Sequence, residues 1–110
     1  MVYRFEPFEL DGEGYSLTRG GRRIPVEPLV FDLLIFLVQN RWRVTSRSEM
    51  LDTLWSGKVV SDACLSNAVN SARKALGDSA VSPLFIRTIR GRGYRFIAEV
   101  LEIPTSLSEC

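Results

Sequence analysis

Residues 61–76, SDACLSNAVNSARKAL, constrain the fold more than any other stretch of the chain. Leu65, Val69, Ala72 and Leu76 fall at i, i+4, i+7 and i+11, which is one narrow apolar stripe of a helix. The opposite face carries Ala63, Asn67, Asn70, Ser71 and Lys74, with Ser66 and Arg73 on its flank. A solvated face selected for helix stability is filled with Glu, Lys and Gln. Asn and Ser are poor choices there, because they compete with the helix backbone for hydrogen bonds. Short amide and hydroxyl side chains do let a helix approach base edges closely, and Asn pairs bidentately with adenine. Taken alone, the stretch reads equally well as a half-buried helix with an ordinary polar side, so its surroundings must decide.

The 110 residues suffice for one compact domain. Net charge is only +1, but it is unevenly placed. Residues 41–95 hold ten Arg or Lys against four acids, while residues 1–40 have six acids against four bases and residues 96–110 have three acids only. A basic half within a neutral chain is an electrostatic footprint for a polyanion, against the alternative of arginines scattered by chance. The longest apolar run, 29–38, is interrupted by Asp32 and is too short to span a bilayer, so no membrane contact is expected of this segment. MVYRFEPFEL alternates and carries charge early, unlike a secretory signal. The absence of histidine, with only Cys64 and Cys110, argues against a structural zinc site, and no cofactor is expected. The simplest compartment is a reducing cytoplasm.

In chain order, residues 3–8 read as a strand in which Pro7, which cannot donate to a ladder, takes an edge or strand-end position. Residues 11–14 form a turn, 15–18 a second strand, Gly20-Gly21 a hairpin turn, and 22–26 a third strand. Pro28 opens a helix that is apolar nearly all round, and Asn40 is placed to end it in the left-handed conformation. Ser46 with Glu49 is a capping box for a second helix, whose apolar side is Met50, Leu51, Leu54 and Trp55. After a loop at 56–60, Ser61 or Asp62 caps the striped helix and Gly77 ends it. This is helix-turn-helix order, one helix bracing and the next presenting its outer face. Residues 85–89 and 94–100 are strands around a basic turn, Arg90-Gly91-Arg92-Gly93. Such a hairpin can enter a minor groove or grip phosphates.

VTSRSEMLDTLW (44–55), VSDACLSNAVNSARKALGD (60–78) and FIRTIRGRGYRF (85–96) carry a further signal. In this order and spacing they resemble the C-terminal effector domain of OmpR/PhoB-type winged-helix transcription regulators. The resemblance spans about residues 3–100. It implies an α+β winged helix-turn-helix with an N-terminal antiparallel sheet, three helices and a C-terminal hairpin wing. The domain is expected over 1–100, with 101–110 a flexible tail or linker. The resemblance places Asn67, Asn70, Ser71 and Arg73 against DNA and Thr88, Arg90 and Arg92 in the wing contacts, with the helix at 62–76 in a major groove. Ser66 borders that face. Arg73 and Lys74 are read as phosphate contacts, with a solvated helix end as the alternative. Trp55 matches a family tryptophan near a backbone-contacting loop, whereas its own spacing reads as core packing. The loop at 56–60 is expected to touch RNA polymerase, and two copies are expected on repeated half-sites of double-stranded DNA.

The chain departs from the family pattern in informative places. Ala63, Ala68, Asn70 and Ser71 stand at outer positions where relatives often carry Arg or His, so phosphate contacts should be fewer. Cys64 stands where many relatives have Thr or Ser, and nothing adjacent activates its thiol. The domain begins at Met1, so the expectation is an N-terminal placement with no receiver domain before it. Among rival readings, an enzyme lacks an imidazole base and a phosphate-binding loop. An RNA-binding fold would need an aromatic where Arg92 stands. A winged helix used only for protein contacts is the serious alternative, because the third helix is poor in arginine.

Overall fold

A computed structural model describes residues 2–56 and 60–103. The chain opens with four short strands, β1 (Val2–Phe5), β2 (Phe8–Asp11), β3 (Ser16–Arg19) and β4 (Arg22–Ile24). Three helices follow, α1 (Pro28–Gln39), α2 (Arg47–Trp55) and α3 (Asp62–Leu76), with a two-residue strand β5 (Thr45–Ser46) just before α2. The hairpin β6 (Ile86–Ile89) and β7 (Gly93–Phe96) and a last strand β8 (Leu101–Ile103) complete the order. The strands form two antiparallel sheets, β4-β3-β2-β1-β8 and β5-β7-β6. This is the expected winged helix-turn-helix architecture.

The front sheet differs from expectation in its first turn. Residues 3–8 are not one strand: Phe5 pairs with Phe8 across a two-residue turn at Glu6–Pro7. Pro7 cannot sit inside a ladder, and the turn puts Tyr3, Phe5, Phe8 and Leu10 all on the buried face. Residues 101–103 are not a tail. They pair with β1, Val2 opposite Ile103 and Arg4 opposite Leu101, and so extend the domain past residue 100. Glu102 accepts a hydrogen bond of 2.9 Å from Arg41, whose side chain is buried, and this ties β8 to the turn after α1.

Helix α1 buries Val30, Phe31, Leu33, Leu34, Leu37 and Val38, each contributing roughly 1.5–3 kcal/mol of apolar burial. It packs on α2, α3 and β7. Asn40 ends it with φ −112°, not left-handed; its side-chain Nδ2 donates instead to the Phe36 carbonyl at 2.8 Å. Ser46 caps α2 as expected, its Oγ accepting from Glu49 N at 3.1 Å. Ser46, the expected cap, and Thr45 before it also pair with Gly93 and Tyr94 of the hairpin. The approach is so close that a Cβ at Gly93 would collide with the Thr45 carbonyl oxygen. Arg43 and Glu49 close the α1–α2 turn with two hydrogen bonds of 2.9 and 2.6 Å, and the Arg43 hydrogen bond holds the Glu49 carboxyl below its ordinary value.

The two sheets meet through aromatic rings. Phe5 lies edge-on to Phe96 with centroids 4.9 Å apart, and Phe8 edge-on to Phe85 at 5.4 Å. The base of the hairpin is thereby fixed to the front sheet. Among the described residues no helix is long and apolar enough to cross a membrane.

Candidate nucleic-acid interface

The buried side of α3 is Leu65, Ala68, Val69, Ala72, Arg73 and Leu76. It is wider than the stripe read from the sequence, and it includes two residues expected elsewhere. Ala68 is buried, not an outer position. It stands three residues after Leu65 and four before Ala72, so helical geometry turns it inward. Arg73 stands four after Val69 and three before Leu76, and it too faces inward, with 7% of its surface exposed. The side chain is therefore neither the solvated helix end nor the outward-reaching cation that the sequence suggested. The guanidinium donates from Nε and Nη2 to the Ile86 carbonyl oxygen at 3.4 and 3.0 Å, and from Nη2 to Thr88 Oγ1 at 2.8 Å.

The outward side of α3 carries Ala63, Asn67, Asn70, Ser71 and Lys74, all exposed. Ser66 is half-buried at its border. The face presents amides, a hydroxyl and one ammonium with no long side chain except Lys74. Thr88 on β6 and Arg90 and Arg92 at the hairpin tip are exposed as well. Ile89 pairs with Gly93, so the tip is the three-residue loop 90–92, with Gly91 at φ 75° and Arg92 N donating to Ile89 O at 2.9 Å. A loop so short has no bulk beyond its two arginine side chains.

Trp55 is half-buried and packs against the core, in keeping with the reading from its spacing. The expected polymerase-contacting loop falls largely on residues 57–59, which lie outside the described residues. Cys64 is a free thiol of intermediate exposure, 4.0 Å from Ser61 Oγ. Exposed Arg87, opposite Arg95 on β7, adds a cation beside Thr88 that the sequence reading left out of the site.

Asp78 was not singled out by the sequence. Its Oδ1 accepts from Ser79 N and Leu84 N at 2.8 and 2.7 Å, and its Oδ2 from Phe85 N and Ile86 N at 3.1 and 2.9 Å. Burial pushes this carboxyl up, but the four backbone donors outweigh it and leave the group below its ordinary value. Asp78 follows Gly77, which ends α3 in the left-handed conformation at φ 68° as expected. It therefore sits where the exit of α3 meets the entry to the wing.

Comparison with known proteins agrees with this arrangement. A family model described as "Transcriptional regulatory protein, C terminal" matches residues 21–96. The transcriptional activator CadC of Escherichia coli is 34% identical over 87 residues, covering 78% of this chain and 17% of that protein. The phosphate regulon transcriptional regulatory protein PhoB of Rhizobium meliloti is 40% identical over 94 residues, covering 84% of this chain and 41% of its own length. The chain thus spans less than half of either relative. The DNA-binding domain of E. coli CadC superposes with a TM-score of 0.80 at 29% identity, covering 93% of this chain and 96% of that one. The RstA DNA-binding domain of Klebsiella pneumoniae, solved in complex with the RstA box, gives 0.77 at 26% identity, covering 86% and 95%.

Proposed function

From the premise that this chain belongs to the family of transcriptional regulatory protein C-terminal domains, which are DNA-binding domains and not enzymes, we propose how it reads DNA. Helix α3 lies in a major groove of double-stranded DNA and contacts base edges through Asn67, Asn70 and Ser71. Ser66 and Lys74 border that contact, Lys74 on phosphate. Arg90 and Arg92 hold the neighbouring minor groove or its phosphates, and Thr88 donates to the backbone. Trp55 acts from the core, supporting the loop that follows α2. The observation that carries this reading is the pairing of two exposed features: a short-side-chain polar face on α3 and a hairpin tip that is almost only arginine.

One domain of this kind makes a modest interface, so two copies on repeated half-sites supply the working affinity. Contact with RNA polymerase through the loop after α2 and residence in the cytoplasm complete the proposal. The test is a fluorescence-anisotropy titration with random-sequence duplex DNA over a range of salt, for the parent chain and for Arg90→Glu/Arg92→Glu. The parent should bind with affinity that falls steeply as salt rises, and the variant should lose at least about tenfold. Equal binding by both removes the wing from the contact. No binding by either at low salt favours the rival in which the winged helix makes only protein contacts.

A further inference from the structure

The backbone of Ile86 is held on both sides of its Cα, by the last turn of α3 and by Asp78, just past the Gly77 cap. Its N–H donates to Asp78 Oδ2 at 2.9 Å, and its carbonyl oxygen accepts from Arg73 Nη2 at 3.0 Å. Asp78 and Arg73 are themselves joined, since Asp78 N donates to the Arg73 carbonyl oxygen at 2.8 Å across the left-handed Gly77. The three residues close a ring of hydrogen bonds. One arm is a buried guanidinium and the other a carboxylate with four backbone donors, so both are of the stronger, charge-assisted kind.

The ring ends on a surface hydroxyl. Arg73 Nη2 also donates to Thr88 Oγ1 at 2.8 Å. A hydroxyl that accepts from a cation has its own proton left to donate. Thr88 is exposed, so that proton can be given outward. Two residues further along β6, the chain enters the arginine tip.

We propose that Arg73 is a positioning residue for DNA binding: with Asp78 it locks Ile86 to α3, sets the wing against the recognition helix, and orients the Thr88 hydroxyl toward phosphate without touching DNA itself. This rests on the DNA-binding reading given above. The contacts use the fixed plane of the guanidinium: Nε and Nη2 converge on the Ile86 oxygen, and Nη2 keeps its second hydrogen for Thr88 Oγ1. The planar guanidinium reaches Ile86 O and Thr88 Oγ1 together, whereas a lysine ammonium is a point charge on a flexible stem. A phosphate contact, by contrast, accepts lysine in place of arginine.

Arg73→Lys, Arg73→Gln, Thr88→Val and Arg73→Lys/Thr88→Val, each tested as the full chain at a temperature where it is folded, distinguish these roles. Titrated with random-sequence duplex DNA at low salt, Arg73→Lys should bind about tenfold more weakly than the parent and no better than Arg73→Gln. Thr88→Val, the milder surface change, should lose a few-fold, and the double variant should be no weaker than Arg73→Lys alone, because both substitutions cut one path. Near-parent binding by Arg73→Lys overturns the proposal, as does multiplication of the two single effects. Amide exchange of residues 86–92 in the free chain gives a second readout, independent of DNA. It should quicken in both Arg73 variants, and unchanged exchange there also overturns the lock. If the parent itself fails to bind DNA, the binding reading falls, while the exchange data still decide whether the lock exists.

Discussion

At the scale of single residues, Asp78 offers the sharpest test of the packing. Two carboxylate oxygens serve four N–H donors, an arrangement no amide can copy, because Asn offers one acceptor oxygen and turns an NH2 toward the rest. Its folded value lies below the ordinary one despite burial, so the stability it adds is fully present above about pH 4 and is lost as the pH falls through the folded value. Asp78→Asn should cost about 2 kcal/mol at pH 7, and the gap from the parent should narrow as the pH drops below about 4. Urea unfolding of both proteins at neutral and acid pH measures this; a gap of constant size would sink the account. The same scale shows what was legible. Helical spacing alone sent Asn67, Asn70, Ser71 and Lys74 outward, since the direction of a helical Cβ follows from position. It could also have sent Ala68 and Arg73 inward, because each lies three or four residues from two members of the stripe. Arginine was read by its charge, not by its place on the helix, and a long apolar stem that lets its head reach a buried carbonyl is what that reading left out.

At the scale of elements, boundaries that depend on local chemistry were legible and boundaries that depend on distant partners were not. Pro28, Ser46 and Gly77 mark helix ends through their own backbone preferences, and the structure has those ends. Strands β5 and β8 are two and three residues long and exist because β7 and β1 lie beside them. No periodicity can be read from so few residues. Helix capping chemistry at Ser46 even masked β5, because the same residue pairs with Gly93 and caps α2. Strand β8 has a measurable consequence. It covers β1 along Val2–Arg4, and its Glu102 is the carboxylate partner of buried Arg41 at 2.9 Å. A chain ending at Val100 should therefore be about 2–3 kcal/mol less stable than one ending at Ile103, from lost ladder bonds and a buried guanidinium left without its carboxylate. Equal denaturation midpoints for the two would show that β8 only decorates the sheet edge.

At the scale of the whole molecule, charge is divided by the fold much as it was by the sequence. The front sheet and β8 belong to the acidic ends of the chain, while α3 and the wing come from the segment with net charge +6. The cations exposed on α3 and the wing are few, Lys74, Arg87, Arg90, Arg92 and Arg95, and Arg95 already donates to the Arg41 carbonyl oxygen at 3.1 Å, which leaves four for phosphate. Four phosphate contacts correspond to a slope of about −3 to −4 for log affinity against log salt. That is enough to steer and hold a domain loosely, and too little for a single domain with a short, uncharged reading face to occupy a site at cellular salt. Pairing two such domains changes the balance without any new contact, because the second then binds at an effective concentration set by the tether. A version dimerised through an added coiled coil should bind a duplex carrying two half-sites at least about a hundredfold more tightly than the single chain, provided the tether spans the half-site spacing. Its salt slope should be near twice that of the single chain, since the number of neutralised phosphates doubles. Titration of both forms at several salt concentrations supplies the two quantities together. Tighter binding with an unchanged slope would mean that only one domain of the pair engages DNA, and no gain at any tether length would remove the two-copy arrangement from the proposed function.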